Sequence, residues 1–218
     1  MTVSRNNKSV SINSASLDFA EEFAATSEQV RAARESALMV GAPVLTNGAC
    51  RTLSFLTRVM DAKAVVEVGT GTGLSGLALF EGMATDGILT SIDAEAQWQI
   101  AARKAFTAAG LPTQRFRLIA GTPLDVLPKL RDGAYDLVFI NGDKLEYVEY
   151  VAQALRLLRH GGVIVLNDAL WHNLVADPRN EDDETLIIRE GLEAVLETEE
   201  FTPLLIPLGD GLLAAVKA

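Results

Sequence analysis

Cysteine is almost absent: Cys50 stands alone in 218 residues, so neither an internal disulfide nor a thiolate metal cluster can form. A reducing, cytoplasmic setting is expected. No run of about 18 apolar residues occurs, and the polar start from Met1 to Ser16 carries Arg5 and Lys8 with no apolar segment behind them, which speaks against a membrane span and a secretory leader. Basic charge is scarce as well. Nineteen Lys and Arg face 29 Asp and Glu, a net charge of −10, and that balance repels polyphosphate backbones and anionic bilayers. Nucleic acid and membrane are thus not expected as partners.

Apolar residues are plentiful, at 49% against 22% charged, so the chain can bury a core and disorder is not its dominant state. At this length one core suffices, since cores split only beyond about 250–300 residues. Residues 1–14 are polar and expected to form a flexible tail, with a single domain over 15–218.

Leu17 to Met39 mixes Ala, Glu, Arg and Leu at helical spacing, which predicts two short helices. From residue 63 short β-branched runs (Ala64–Val68, Ile88–Ile92, Arg115–Ile119, Leu137–Ile140, Val163–Leu166) alternate with helical stretches near 74–84, 94–109, 123–131 and 145–159. That alternation predicts an α/β fold with a doubly wound, mostly parallel sheet. Beyond Asp168 come a loop through Pro178, an acidic helix near 182–198, and two strands, Thr202–Pro207 and Gly211–Lys217. Asp210-Gly211 between them is a hairpin signal, so an antiparallel hairpin is expected to complete the sheet.

The strongest local signal is Val65-Val66-Glu67-Val68-Gly69-Thr70-Gly71-Thr72-Gly73-Leu74-Ser75-Gly76, a strand entering a glycine turn and then a helix. Glycines admit backbone conformations and close ligand approach that a Cβ would block, and the helix start offers free N–H groups. Gly71, Gly73 and Gly76 also satisfy the dinucleotide fingerprint, with Asp93 about 20 residues on, where a ribose-binding acid belongs. Two nucleotide classes therefore compete. Glu67 favours S-adenosylmethionine, because a carboxylate there repels a pyrophosphate but attracts a sulfonium and an ammonium.

Four segments in order, Val65–Ser75, Ile88–Asp93, Tyr135–Tyr147 and Gly161–Pro178, together resemble the cation-dependent O-methyltransferase family that includes catechol and caffeoyl-CoA O-methyltransferases. Tyr135-Asp136-Leu137-Val138-Phe139-Ile140-Asn141-Gly142-Asp143-Lys144 is similar to the family's fourth-strand motif, and Gly161 to Asp168 with Leu170-Trp171 to its fifth strand and exit loop. The resemblance implies a class I methyltransferase fold, S-adenosylmethionine as cofactor, a hydroxyl of a small catechol-like aromatic as acceptor, and a homodimer with the N-terminal helices as its dimer element. It implies Glu67, Gly69, Thr70, Gly71 and Ser75 around the methionine end and ribose, Asp93 on the ribose hydroxyls, Asp143 beside the cofactor, and Gly121 near the adenine. The Leu45–Gly48 turn would approach the methionine moiety through its backbone, although Asn47 departs from the charged residue usual there. Lys144 matches the family's catalytic lysine, which takes the proton from the hydroxyl being methylated.

The family's divalent ion sits between an Asp ending the fourth strand and an Asp-Asn pair ending the fifth. Here the matching residues are Asn141, Asn167 and Asp168, so one carboxylate remains, and a site for Mg²⁺ is expected to be weaker or empty. Asn141, Asn167 and Asp168 are thus candidates either for the ion or for the acceptor hydroxyl, and Trp171 with His172 for the acceptor wall. His160 is expected at a helix end, where a cation complements the dipole. Two rivals stand beside this reading: an NAD-dependent oxidoreductase, and a non-catalytic protein that binds S-adenosylmethionine but has lost its chemistry with the metal acids.

Overall fold

A computed structural model describes residues 12–218. The chain opens with three helices, α1 (Ser14–Glu22), α2 (Glu28–Met39) and α3 (Asn47–Val59), before the first strand, β1 (Ala64–Val68). Then follow α4 (Leu74–Gly82), β2 (Ile88–Asp93), α5 (Ala96–Ala108), β3 (Phe116–Ala120), the short α6 (Pro123–Val126), β4 (Tyr135–Ile140), α7 (Tyr147–Leu157) and β5 (Leu158–Leu166). The C-terminal part is α8 (Asp183–Glu197), β6 (Phe201–Ile206) and β7 (Leu212–Lys217).

The sheet has seven strands in the order β3-β2-β1-β4-β5-β7-β6. β1 to β5 pair in parallel, and β7 then pairs antiparallel with both β5 and β6. The chain order reverses between β1 and β4, and in an open α/β sheet such a reversal opens a crevice beyond the carboxyl ends of the two strands. Gly69 and Asn141 are the first residues past those ends.

Side chains alternate across the sheet and form two cores. Val65, Leu89, Leu137 and Phe139 pack with Leu53, Leu79 and Phe106 of α3, α4 and α5, while Val66, Ile92, Ile140 and Ile164 pack with Tyr147, Leu157 and Ile188 of α7 and α8. Glu67 shares the face of Val65, so its carboxylate points into an apolar layer.

The hairpin and every predicted strand are present, with shifted ends. β4 begins at Tyr135 and β5 at Leu158, so His160 lies inside a strand rather than at a helix end. The stretch near 123–131 is one α-turn followed by a 3₁₀ turn, because Pro128 cannot donate to a continuing helix. The tail expected over residues 1–14 lies outside the described residues up to residue 11; Asn13 accepts the Ser16 N–H at 2.9 Å as N-cap, and Ser14 is already helical. The unforeseen element is α3. Its sequence holds Asn47, Gly48, Thr52, Ser54 and Thr57, which are poor helix formers, yet Thr46 caps it and its buried face decides the outcome. The Ser54 and Thr57 hydroxyls donate to the Ala78 and Leu79 carbonyls of α4 at 2.8 and 3.1 Å. Gly82 permits that approach, since a Cβ there would stand 2.0 Å from Thr57 Oγ1.

Candidate active site

The loop after β1 turns left-handed at Gly69, Gly71 and Gly73, with φ of +90°, +49° and +91°. At Gly69 the need is also one of space, because a Cβ would lie 2.2 Å from the Asn141 carbonyl. Asn141 N–H in turn donates to Val68 O at 2.8 Å, so the two strand ends are locked together at the floor of the crevice. Asp93, closing β2, braces the loop from the side: its carboxylate accepts the Gly71 N–H and the Glu95 N–H, each at 2.9 Å.

Beneath the loop, Glu67 is fully buried. Both of its oxygens are satisfied, by the Ser75 hydroxyl and by the Ser91 hydroxyl, each at 2.5 Å. Because Ser91 spends its proton on Glu67, the 2.6 Å contact between Thr70 and Ser91 is donated by Thr70, whose own oxygen accepts from Gln99 Nε2 at 2.9 Å. A file of donors thus ends on one carboxylate. Burial pushes the Glu67 carboxyl up to about 7, against the opposing pull of the two serine hydroxyls.

The raised value fixes a pH dependence. The native state holds the Glu67 proton more tightly than the unfolded chain, whose carboxyl titrates near 4.5. This group's contribution to stability is therefore greatest below pH 4.5 and falls as pH rises toward 7, in all by about 3 kcal/mol. Urea unfolding of wild type and Glu67→Gln at several pH values is expected to show wild type losing ground to the variant across that window. Parallel curves would mean that Glu67 stays ionised throughout.

At the other end of the crevice, Lys144 begins a 3₁₀ turn after β4. Its ammonium pairs with Asp168 Oδ2 at 2.7 Å, with the lysine side chain only 11% exposed, and it lies 5.1 and 5.7 Å from the ring centres of Tyr147 and Trp171. Asn167 Nδ2 donates to both Asn141 Oδ1 and Asp168 Oδ1 at 2.8 Å, and Tyr147 OH donates to Asn167 O at 2.8 Å. Asp168, Trp171, His172 and Asn173 all have positive φ, from 43° to 65°. Such strain persists only where neighbours impose it. Asp210, in the β6–β7 turn, does so: its carboxylate accepts the His172 N–H at 2.7 and 2.8 Å and faces His172 Nδ1 at 3.1 Å.

These groups line one cavity of about 910 Å³. Of the sequence-predicted residues, Leu45, Gly69, Thr70, Gly71, Ser75, Asp93, Asn141, Asp143, Lys144, Asn167, Asp168, Trp171 and His172 are on its wall. Two are placed differently. Glu67 lies one layer behind the wall, screened by Ser75, and Gly121 is represented on the wall by its neighbours Thr122 and Pro123. Asn47 is also turned away: its amide donates to the Glu21 and Ala24 carbonyls at 2.9 and 3.0 Å and so holds α1.

Glu21 escaped sequence reasoning altogether. Its carboxylate accepts the Gly48 N–H at 2.6 Å, at the start of α3, and also the N–H of Gly209 in the β6–β7 turn. No local pattern announces a contact across 188 positions. Asp210 was visible only as a turn residue, although its carboxylate carries the Trp171–His172 loop.

The family model for O-methyltransferases matches residues 21–218. A protein of Mycobacterium sp. (strain KMS) that carries an O-methyltransferase name is 47% identical over 198 residues, covering 91% of this chain and 90% of that protein. Among solved structures, a Corynebacterium glutamicum protein superposes with a TM-score of 0.85 at 32% identity, covering 92% of this chain and 94% of that one. The O-methyltransferase TomG of Streptomyces achromogenes, involved in tomaymycin synthesis and solved in complex with S-adenosylmethionine, gives 0.83 at 25% identity, covering 94% and 96%. With the family model spanning nearly the whole described chain and relatives aligned across its length, the protein belongs to the O-methyltransferase family.

Proposed function

We propose that the chain transfers a methyl group from S-adenosylmethionine to a hydroxyl of a small aromatic acceptor. The observation that carries this is the charge of the cavity's loop end. Asp93 and Asp143 are on the cavity wall, Glu67 lies behind the glycine loop, and among the described residues Lys144 is the one Lys or Arg on that wall, paired with Asp168. A pyrophosphate would meet carboxylates and no cation there, whereas a sulfonium and an ammonium are attracted.

The residues present fit that cofactor. Gly69 to Gly71 offer a wall without Cβ atoms, Asp93 offers carboxylate oxygens suited to ribose hydroxyls, and Ser75, Asp143 and the backbone near Leu45 complete the enclosure, with the Gly121–Pro123 segment on the adenine side. When bound, S-adenosylmethionine supplies an electrophilic methyl group. The chain's own part is to position a hydroxyl and receive its proton. Trp171 offers a flat apolar wall beside Lys144. The Lys144–Asp168 pair is the proton-handling unit: an ammonium has no lone pair to give, but its carboxylate partner has, and the ammonium beside it steadies the developing oxyanion. Alignment in the cavity supplies much of the remaining acceleration, because an in-line transfer gains strongly from orientation. In the same reading the protein is a cytoplasmic homodimer, with Phe19 of α1, Phe23 just past its end, and Leu38 and Met39 of α2, all exposed, on its dimer element.

Calorimetric titration separates the cofactor classes. S-adenosylmethionine and its demethylated product are expected to bind in the micromolar range, a Kd of about 1 µM corresponding to roughly −8 kcal/mol, and NAD is expected not to bind. NAD binding as tightly as the adenosyl ligands would sink the methyltransferase reading. Turnover with a panel of hydroxylated aromatics then separates an enzyme from a non-catalytic binding protein.

A further inference from the structure

We propose that this chain transfers methyl groups without a divalent ion, and that its acceptor therefore presents a single hydroxyl rather than a chelating vicinal pair. The inference rests on the methyltransferase reading and concerns the far end of the same cavity. The oxygens that would face a cation there belong to Asn141, Asn167 and Asp168, at the carboxyl ends of β4 and β5. Those of Asn141 and Asp168 are already engaged. One amide nitrogen, Asn167 Nδ2, lies 2.8 Å from both Asn141 Oδ1 and Asp168 Oδ1, where an ion would have to sit, and the second Asp168 oxygen is held by Lys144 Nζ at 2.7 Å.

The arrangement is fixed from behind. Asn167 is 7% exposed, its carbonyl is held by the Tyr147 hydroxyl, and the left-handed backbone of Asp168, φ +54°, aims the carboxylate at the amide and the ammonium together. Turning the Asn167 amide over would make three oxygens converge. An ion entering between them would bring two positive charges next to the Lys144 ammonium, against the single carboxylate of the set. Mg²⁺ gives up its waters reluctantly and selects anionic oxygen, so this donor set does not fit it. Among the described residues no group of three or more His, Cys, Asp and Glu side chains is placed to hold a metal ion.

The consequence for the acceptor is chemical. A bound ion draws in two neighbouring oxygens at once, and an enzyme relying on it needs both. Here the polar partners are two amides, a carboxylate and an ammonium, which meet an acceptor oxygen through separate hydrogen bonds rather than drawing two oxygens onto one centre. One hydroxyl beside Trp171 satisfies them, and a second adjacent hydroxyl adds nothing to positioning.

Manganese is the probe, followed by paramagnetic resonance and calorimetry on the full chain saturated with S-adenosylhomocysteine. Wild type is expected to show no binding at micromolar Mn²⁺, and Asn141→Asp, which restores an anionic ligand, to gain about tenfold or more in affinity. Turnover in chelator is expected to stay within about twofold of that without it, and a catechol and its matched monophenol to be methylated at rates within about threefold of each other. Micromolar Mn²⁺ binding by wild type with activity abolished in chelator overturns the proposal, whatever the variant does. So does a catechol preferred over its monophenol by about a hundredfold or more. Failure to bind S-adenosylhomocysteine at all defeats the underlying methyltransferase reading instead, and the titration reports that separately.

Discussion

Lys144→Ala is expected to slow methyl transfer by about 10²–10⁴ while leaving affinity for S-adenosylhomocysteine within about twofold. The split follows from the plan of the cavity. In the proposed reading the cofactor lies against the glycine loop and Asp93, whereas the Lys144 ammonium lies at the ends of β4 and β5, against Asp168 and near the Tyr147 and Trp171 rings. Its removal takes a proton-handling partner and a positive charge from the acceptor's side and nothing from the cofactor's. Single-turnover rates with the alanine variant, set beside calorimetry, measure the two effects separately. A variant that keeps full turnover would show Lys144 to be a structural counter-charge for Asp168, and a parallel collapse in cofactor affinity would show that the two ends of the cavity are not independent.

Gly69→Ala is expected to be the most damaging single methyl group that can be added to the loop. At φ +90° an alanine is strained by about 1–3 kcal/mol, and its Cβ, 2.2 Å from the Asn141 carbonyl, must push apart two strand ends, which adds about 1–3 kcal/mol of overpacking. Gly71→Ala is the control. It carries the left-handed penalty at φ +49° but meets nothing within 4 Å, so it should cost about 1–2 kcal/mol. Urea unfolding is expected to rank Gly69→Ala at about 3 kcal/mol or worse and Gly71→Ala well below it. Because Gly69 itself lines the cavity where the cofactor is proposed to lie, Gly69→Ala should also weaken S-adenosylhomocysteine by about 100-fold or more, equivalent to about 2.8 kcal/mol. Equal losses from the two variants would mean that strain alone governs the loop and the contact with β4 does not.

The parallel sheet could be read from the sequence because each buried strand is a short β-branched run set off by an amphipathic stretch, a pattern written in neighbouring residues. The cavity wall was legible for a related reason: Gly69, Asp93, Asn141, Lys144 and Asp168 all lie at or just past strand ends, and the topology gathers strand ends at one place. Illegible features are those set by distant partners. α3 forms against its own propensities because its Ser54 and Thr57 hydroxyls find carbonyls on α4, and nothing within its thirteen residues encodes that. Asn47 looked like part of the cofactor turn and instead holds α1. The metal positions were legible as a loss of charge, but not that the Asn167 amide fills the middle of the set, which depends on a side-chain rotamer fixed by burial.

α1 buries none of its side chains, so apolar packing does little to keep it in place, and it is fastened by the Asn47 amide on the Glu21 and Ala24 carbonyls and by the Glu21 carboxylate. That one group accepts the amide protons of Gly48 and Gly209, which belong to opposite ends of the chain. Departure of α1 from its place therefore frees both amides together, and exchange of both with solvent deuterium is expected to speed up when it occurs. Gly209 neighbours Asp210, and Gly48 follows the Leu45–Thr46 wall, so that event also loosens both lips of the cavity mouth. α1 thereby works as a clasp between two segments that are distant in sequence and border the same cavity.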